Sequence, residues 1–514
     1  MMGIQRHRMW LGSVVLATAA MTVGAVNAQV PDRELRVAMY SKTQSRASPF
    51  TSYAPSIFWF SPIYDSLTRI NQDGALVPWL AESWKLVDPS TWQFTLKPNL
   101  EFSNGEKLNA NAVASTLTYL ISDEKGKATN AGADARTIVS ATAIDERTVE
   151  IKTSAPNPVV PSLAAIFFVF EPKAWKDLGA EGYASRPVTS GPFRVESWSD
   201  NQAKMVAFDK SWRKPKVQRL TITELPEQVT RLQGVLSNQL DVVIGMSPDD
   251  IKQLQDAGHA VKTYPSTITM AVALHTTDFV GKYGDKGTPF RDRRVRQAMN
   301  HAVDREAILR EILGGNGRLA SQPGNPASFG YDPAIRPYEY NPARARQLLT
   351  EAGYPNGFEF ALEVITGALP KDREIYTFVG ESLAKVGVKA EVRLITLPDY
   401  LRKHLQGKWE GQAMGLAFRV EPTMDVARVF SSWTCRWPQK FFCVEDMMPS
   451  IDASDREMDP DKRRKLLQEV SRRMNEEANA LFLVNHVDIY GINKRAKGFD
   501  QWNLAILYEQ ISLD

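Results

Sequence analysis

Cysteine is nearly absent from these 514 residues: only Cys435 and Cys443 occur. Two thiols alone make a poor metal site, since a closed zinc or iron–sulfur centre takes four protein ligands. Histidine is almost as scarce, at six, and none forms an HExxH motif or a close pair, so no zinc-hydrolase arrangement is present. There is no Gly-x-Ser-x-Gly elbow and no GxxxxGK[ST] loop, the usual signs of a serine hydrolase and of a P-loop. Beyond residue 28 no apolar run is long enough to span a membrane; even SLAAIFFVF at 162–170 is too short. Charge of one sign is not in excess either, with 62 basic against 59 acidic residues. That balance gives no global attraction to nucleic acid or to an anionic membrane. Repeats and low-complexity tracts are also missing, which argues against an adhesive or stalk-like envelope protein.

One stretch looks basic at first sight. Residues 289–311 carry six arginines, four of them at 291, 293, 294 and 296, against Asp292, Asp304, Glu306 and Glu311. Val295, Ala298, Met299 and Ala302 follow the i, i+3, i+4, i+7 spacing of one apolar helical stripe. Asp292 stands where an N-cap belongs and has Arg296 as its (i, i+4) partner. Asp304 opens a second helix that ends at Gly314-Gly315. The arginines are therefore expected on a solvated helix face, not in a phosphate site.

The composition itself, 43% hydrophobic and 10% aromatic, supports large cores in two or three domains. Arg6-His7-Arg8, the apolar WLGSVVLATAAMTVGAV and the small-residue site Val26-Asn27-Ala28 form a secretory signal peptide over residues 1–28. The alternative, a membrane anchor, conflicts with the shortness of its most apolar part. With no cysteine near the cleavage site, a lipid anchor has no attachment point. The expected product is soluble, exported and periplasmic. In an oxidising compartment Cys435 and Cys443 are expected to form a disulfide; the alternative is two buried thiols.

Strand-like and helix-like segments alternate throughout, which favours the α/β class. Strands are expected at 34–40, 147–153, 193–198, 203–209 and 219–225, then at 241–245, and 91–105 reads as a β-rich stretch ending in an Asn-Gly turn. Helices are expected at 109–121, opened by Asn109, and at 226–240. After about residue 276 the pattern restarts without a linker, with helices at 342–353, 373–387 and 459–478 between strands at 358–365, 389–397 and 481–493. Two lobes sharing a hinge fit such a chain, and clefts between lobes are common ligand sites.

Several blocks resemble the family 5 extracellular solute-binding proteins of ABC importers, the dipeptide, oligopeptide and nickel binders. They include LAESWKLVDPSTWQFTLKPNLEFSNGEKLNANAV at 80–113, SGPFRVESW at 190–198 and DVVIGMSPDDIKQL at 241–254. Pro289-Phe290 through Ala302-Val303-Asp304-Arg305, YNPARARQLLTEAGYPNGFE at 340–359 and LAKVGVKAEVRLI at 383–395 follow in order. The resemblance implies a bilobed periplasmic-binding-protein fold with an inserted subdomain in lobe one. Lobe one would take residues 29–275 with the insertion at 67–186, lobe two 276–486, and the tail 487–514 would return to lobe one.

The resemblance further implies a monomer that captures a small molecule or peptide, delivers it to an inner-membrane ABC permease, and uses no cofactor. An exported hydrolase is the competing class, but no nucleophile, base and oxyanion constellation can be assembled. In peptide-binding members the segment ending Asp/Glu-Pro carries an upstream Asp that clamps the peptide amine. Here it reads MGLAFRVEPTMD, with Phe418 at that position and Arg419 after it. Phe418 and Arg419 favour an aromatic or anionic ligand group over an ammonium, so simple dipeptides are expected to bind poorly. Glu421 and Asp425 keep negative charge close, and Arg419 has the alternative of pairing with Glu421. Trp433 and Tyr40 join the candidate ligand set by analogy, with core packing as their alternative. His301 and His486 are expected to be capped or core residues, not metal ligands.

The first test concerns export. Small residues at Val26 and Ala28 predict a mature N-terminus at Gln29; N-terminal sequencing of the exported protein that still reads Met1 would refute it.

Overall fold

The computed structural model describes residues 34–514, apart from 44–45, 51–53, 278–288, 368 and 439. The expected signal peptide, 1–28, lies outside the described residues. Helices and strands alternate as expected of an α/β protein. The largest sheet has the order Val388–Ile395, Phe358–Ile365, Ala413–Arg419, Ala260–Leu274, Ala480–Ile492, Val242–Ile244, Glu34–Met39, Arg219–Glu224, Gln202–Ala207, Phe193–Trp198. A second sheet of four strands joins Ala81–Asp88, Thr91–Leu96, Thr148–Thr153 and Ile138–Ala143.

Two long antiparallel strands, Ala260–Leu274 and Ala480–Ile492, join the halves of the large sheet. Residues 268–274 also pair with Ala413–Arg419, whereas residues 490–492 also pair with Val242–Ile244. Each strand therefore belongs to one half at one end and to the other half at its other end. Between the halves the register breaks: Pro265 pairs with Val487 and Thr269 with Asn485, so Ser266, Thr267 and Ile268 face His486 alone. A bulge of this kind bends a strand and increases its twist. The broken ladder is satisfied from elsewhere, with Asn325 Nδ2 donating to the Ser266 carbonyl at 2.6 Å and the Val420 amide to the Thr267 carbonyl at 3.1 Å.

Cores form on both sides of the break. Met270, Val272, Leu274, Leu481 and Leu483 face one apolar cluster, and Ala271, Ala273, Ala480 and Phe482 face another on the opposite side of the sheet. That division is the period-two alternation of a strand buried on both faces. Ile489 enters a separate cluster, and Tyr490 with Ile492 a further, larger one. The fold is bilobed, and the two strands are the hinge that both lobes share.

The basic stretch is a helix over Arg293–Ala302, with Asp292 as N-cap accepting from the Arg294 amide at 2.8 Å. Arg293 and Arg294 are exposed, as expected of a solvated face. Arg296 corrects the expected pairing. It is buried, and its guanidinium donates to the carbonyls of Glu477 (2.8 Å), Phe290 (2.9 Å) and Arg291 (3.0 Å), while Arg294 takes Asp292 at 2.6 Å. Arg305 is likewise interior, donating to the carbonyls of Phe482 and Asn300. These interior arginines tie surrounding backbone together; they do not reach for phosphate.

Cys435 and Cys443 form the expected disulfide, with an S–S distance of 2.02 Å. Among the described residues no helix is long and apolar enough to cross a membrane, and no cluster of three metal-ligating side chains occurs.

Two stability tests follow. Replacing both cysteines by Ser is expected to cost about 2 to 3 kcal/mol in denaturant unfolding; two alkylatable thiols in the native, unreduced protein would contradict the bridge. Arg294→Ala should change stability by about 0.5 kcal/mol or less, and Arg296→Ala by about 3 kcal/mol, because only the second strands buried carbonyls. Equal costs in urea titrations would refute that division.

Candidate functional site

The strand Ala413–Arg419 runs beside the hinge, with Phe418 opposite Thr269 and Arg419 opposite Ile268. Alternation sends consecutive side chains to opposite faces. Phe418 is fully buried, edge-on to Trp433 at 5.5 Å between ring centroids and close to Phe482 at 5.7 Å. Arg419 emerges on the other face and keeps 43% of its side chain exposed, while its Nη1 donates to Glu421 Oε1 at 3.0 Å. Glu421 is buried and accepts a second bond from Thr267 Oγ1 at 2.8 Å. The hinge residue Thr267 thus holds this segment through both its carbonyl and its hydroxyl.

Burial is the largest single influence on the Arg419 guanidinium and lowers its pKa. Glu421, with smaller contributions from the phenols of Tyr40 and Tyr400, outweighs it and holds the group above its usual value. Arg419 is therefore a fixed cation. Tyr40 comes from the opposite lobe, at the end of Glu34–Met39, and remains 38% exposed. Its ring lies on Gly245, where a Cβ would stand 2.7 Å from Tyr40 Cδ1 and where φ is +77°. Glycine is required there on both counts.

Tyr40, Arg419 and Glu421 come together across the hinge; the remaining candidates do not join them. Phe418 and Trp433 belong to the second lobe's apolar core, together with Phe441 and Phe482. Neither presents an open face to a ligand in this conformation, since strand alternation gives the outward position to Arg419. Asp425 is also interior, accepting from Arg463 Nη1 at 2.6 Å and capping the Ala427 amide at 2.9 Å. His301 Nδ1 lies 2.9 Å from the Glu339 carbonyl, and His486 is buried with Nδ1 at 2.8 Å from the Val487 carbonyl. Both are backbone-bonded, as expected.

The lobes touch in this conformation. Arg428 pairs with Asp134 at 3.0 Å and Lys371 with Asp249 at 2.5 Å. Asn503 Nδ2, from the C-terminal return, donates to the Pro422 carbonyl at 3.0 Å. What remains at the hinge is a cavity of about 20 Å³, bounded by Pro265 and Thr267 on one crossing strand and Asp488 on the other. Burial, first, and Glu421 push the Asp488 carboxyl up to about 6, against the opposing influences of Ser266, Arg419 and Gln501. Sequence reading passed over Asp488. The only local signal is an acid inside the apolar run LFLVNHVDIYGIN, and its partners come from three distant segments.

Comparison with known proteins agrees with this architecture. The family model for bacterial extracellular solute-binding proteins, family 5, matches residues 75–435. The dipeptide-binding protein of Escherichia coli K12 is 26% identical over 475 residues, covering 85% of this chain and 86% of its own. Heme-binding protein A of Haemophilus influenzae is 24% identical over 474 residues, covering 85% and 84%. Among solved structures, HbpA2 from Haemophilus parasuis superposes with a TM-score of 0.80 at 22% identity, over 94% of this chain and all of that one (100%). With the family pattern covering residues 75–435, well over half of its length, the chain belongs to the bacterial extracellular solute-binding proteins, family 5.

Proposed function

We propose that the chain is the periplasmic receptor of an ABC importer, closing around a small solute and presenting it to an inner-membrane permease. It acts as a monomer and performs no covalent chemistry. Lobe one is taken as residues 29–275, with an inserted subdomain at 67–186 and the return of 487–514; lobe two is 276–486. The observation that carries the reading is the pair of long strands shared by both lobes, with Arg419 half exposed beside their register break. A ligand that bridges the lobes shifts the population toward the closed state by its differential affinity for that state.

The solute's anionic group is assigned to Arg419, whose planar fork suits a carboxylate. Glu421 holds the guanidinium in place, and Tyr40 supplies an aromatic, hydroxyl-bearing wall from the other lobe. Phe418, Trp433 and Asp425 act behind them as the packing that fixes the strand end. Relatives named for dipeptides and for heme share this architecture, so the solute is set by such local chemistry and not by the fold.

Native mass spectrometry of the exported protein identifies what co-purifies, and small-angle scattering reports closure when it is restored to the stripped protein. With that solute, Arg419→Ala is expected to weaken binding by about 1.5 to 3 kcal/mol in calorimetry, the range for a buried charged hydrogen bond. A loss below about 1 kcal/mol would mean that Arg419 only pairs with Glu421 at a wet surface.

A further inference from the structure

The hinge cavity holds buried acceptors that nothing in the protein satisfies. Gln501 is 2% exposed and lines it, yet its Oε1 accepts no hydrogen bond. Asn503 Oδ1, on the same wall, is also buried without a partner. Asp488 adds a carboxylate, which already accepts from Ser266 and from Gln501. Asn71 and Gln72, on the outer side of the lining, are half-buried and exposed; the donors deeper in are engaged. Thr267 Oγ1 donates to Glu421, Tyr264 Oη to Asp500 at 3.1 Å, and Asn503 Nδ2 to the Pro422 carbonyl. Pro265 has no amide proton to offer. Buried acceptors left in this state are costly and rarely persist without an occupant. A cavity of about 20 Å³ has room for one water-sized group, which is also the size of an ammonium head.

We propose that this cavity receives a protonated amine of the solute, with Asp488 as its counter-ion and Gln501 Oε1 and Asn503 Oδ1 as the further acceptors. The assignment rests on the solute-binding reading and deepens it. With Arg419 taking an acid group and the hinge cavity taking an amine, the preferred solute is zwitterionic. Its ammonium enters between the crossing strands, and not at the strand position that Phe418 occupies.

The charged and titratable groups around Asp488 are Glu421 and Arg419 from the second lobe, Tyr490 on its own strand and Tyr264 on the paired one. Tyr264 brings Asp500 with it. Carboxylates outnumber the single guanidinium, which favours a cation. The Asp488 carboxyl, pushed up to about 6 mainly by burial, is charged at neutral pH and protonated below that value. In the ligand-free protein the sign is therefore destabilising: the folded state holds its proton more tightly, and stability falls as pH rises from about 4 to about 6. A bound ammonium offsets this cost and is itself lost as pH drops below about 6.

The test uses the mature protein and methylammonium chloride as probe, with sodium chloride and tetramethylammonium chloride at equal concentration as references. At pH 8 methylammonium is expected to raise the thermal midpoint relative to both, and the increment should vanish in Asp488→Asn and fade below pH 6. Gln501→Leu should reduce it as well, and serves if the Asp488 variant does not fold. An increment equal for sodium and methylammonium, which would leave water as the native occupant, overturns the proposal. So does one that survives in the substituted protein. Because the assay needs no solute, it stands or falls independently of the Arg419 measurement.

Discussion

Everything distinctive in this structure depends on one register break. Two antiparallel strands, Ala260–Leu274 and Ala480–Ile492, are shared by both lobes, and between Pro265 and Thr269 their ladder is interrupted. A second, smaller shift follows between Met270 and Ala271, and on either side each strand is sandwiched between apolar clusters. At the break the backbone gives its hydrogen bonds to side chains and loops instead. The longest interruption of the ladder and a cluster of buried polar groups therefore coincide in the middle of the sheet. A polar pair marks where regular register resumes: Asn485 Nδ2 donates to Thr269 Oγ1 at 2.7 Å, and Thr269 Oγ1 donates to the Pro323 carbonyl at 2.8 Å. Buried groups with specific partners fix register more strictly than apolar packing does, since a one-residue slip would strand them.

The cleft chemistry is a consequence of that break. Ser266 and Thr267, freed from the ladder, turn to the segment after Arg419 and to Asp488. Thr267 and Glu421 hold the Arg419 guanidinium at the strand end, so the cation is preorganised and loses little freedom when a ligand arrives. On the proposed assignment, hinge and binding residues are thus the same residues or their direct partners. Closure and recognition are coupled through contacts of a single hydrogen bond's length, with no relay through the lobes.

Much of this was legible in the sequence, and the limits have physical causes. Segments with one wet face announce themselves by alternation or helical spacing; Phe193–Trp198 and Arg293–Ala302 are of this kind. Caps were legible for the same local reason, as at Asn109 and Asp292, whose side chains bond amides two or three residues on. The strand Ala260–Leu274 was not. Its apolar end is buried on both faces, so it shows no alternation, and Pro265-Ser266-Thr267 reads as a break instead of a bulge. Arg296 misled for a related reason: an arginine on a basic stretch looks solvated until the carbonyls it satisfies, one of them 181 residues away, are in place. At the site, local order sufficed to put Arg419 beside Glu421, but Phe418 and Arg419 could not both face a ligand on one strand. Asp488 needed Ser266, Glu421 and Gln501 to become visible at all.

The opposed charges have a consequence for selectivity that the fold alone does not carry. Arg419 is held as a cation by Glu421, while burial works against the charge of Asp488. Closure removes water from both, which strengthens any correctly placed partner and raises the cost of a missing one. A solute lacking the acid leaves Arg419 with Glu421 alone, at little loss, because that pair stands without it. A solute lacking the donor leaves Gln501 Oε1 and Asn503 Oδ1 unsatisfied in a closed cavity, at about 1 to 3 kcal/mol for each group. The two ends are therefore unequal. Under the proposed assignments, affinity is set where the guanidinium is half exposed, and rejection of the wrong solute at the hinge, where Gln501 Oε1 and Asn503 Oδ1 are buried without a protein partner.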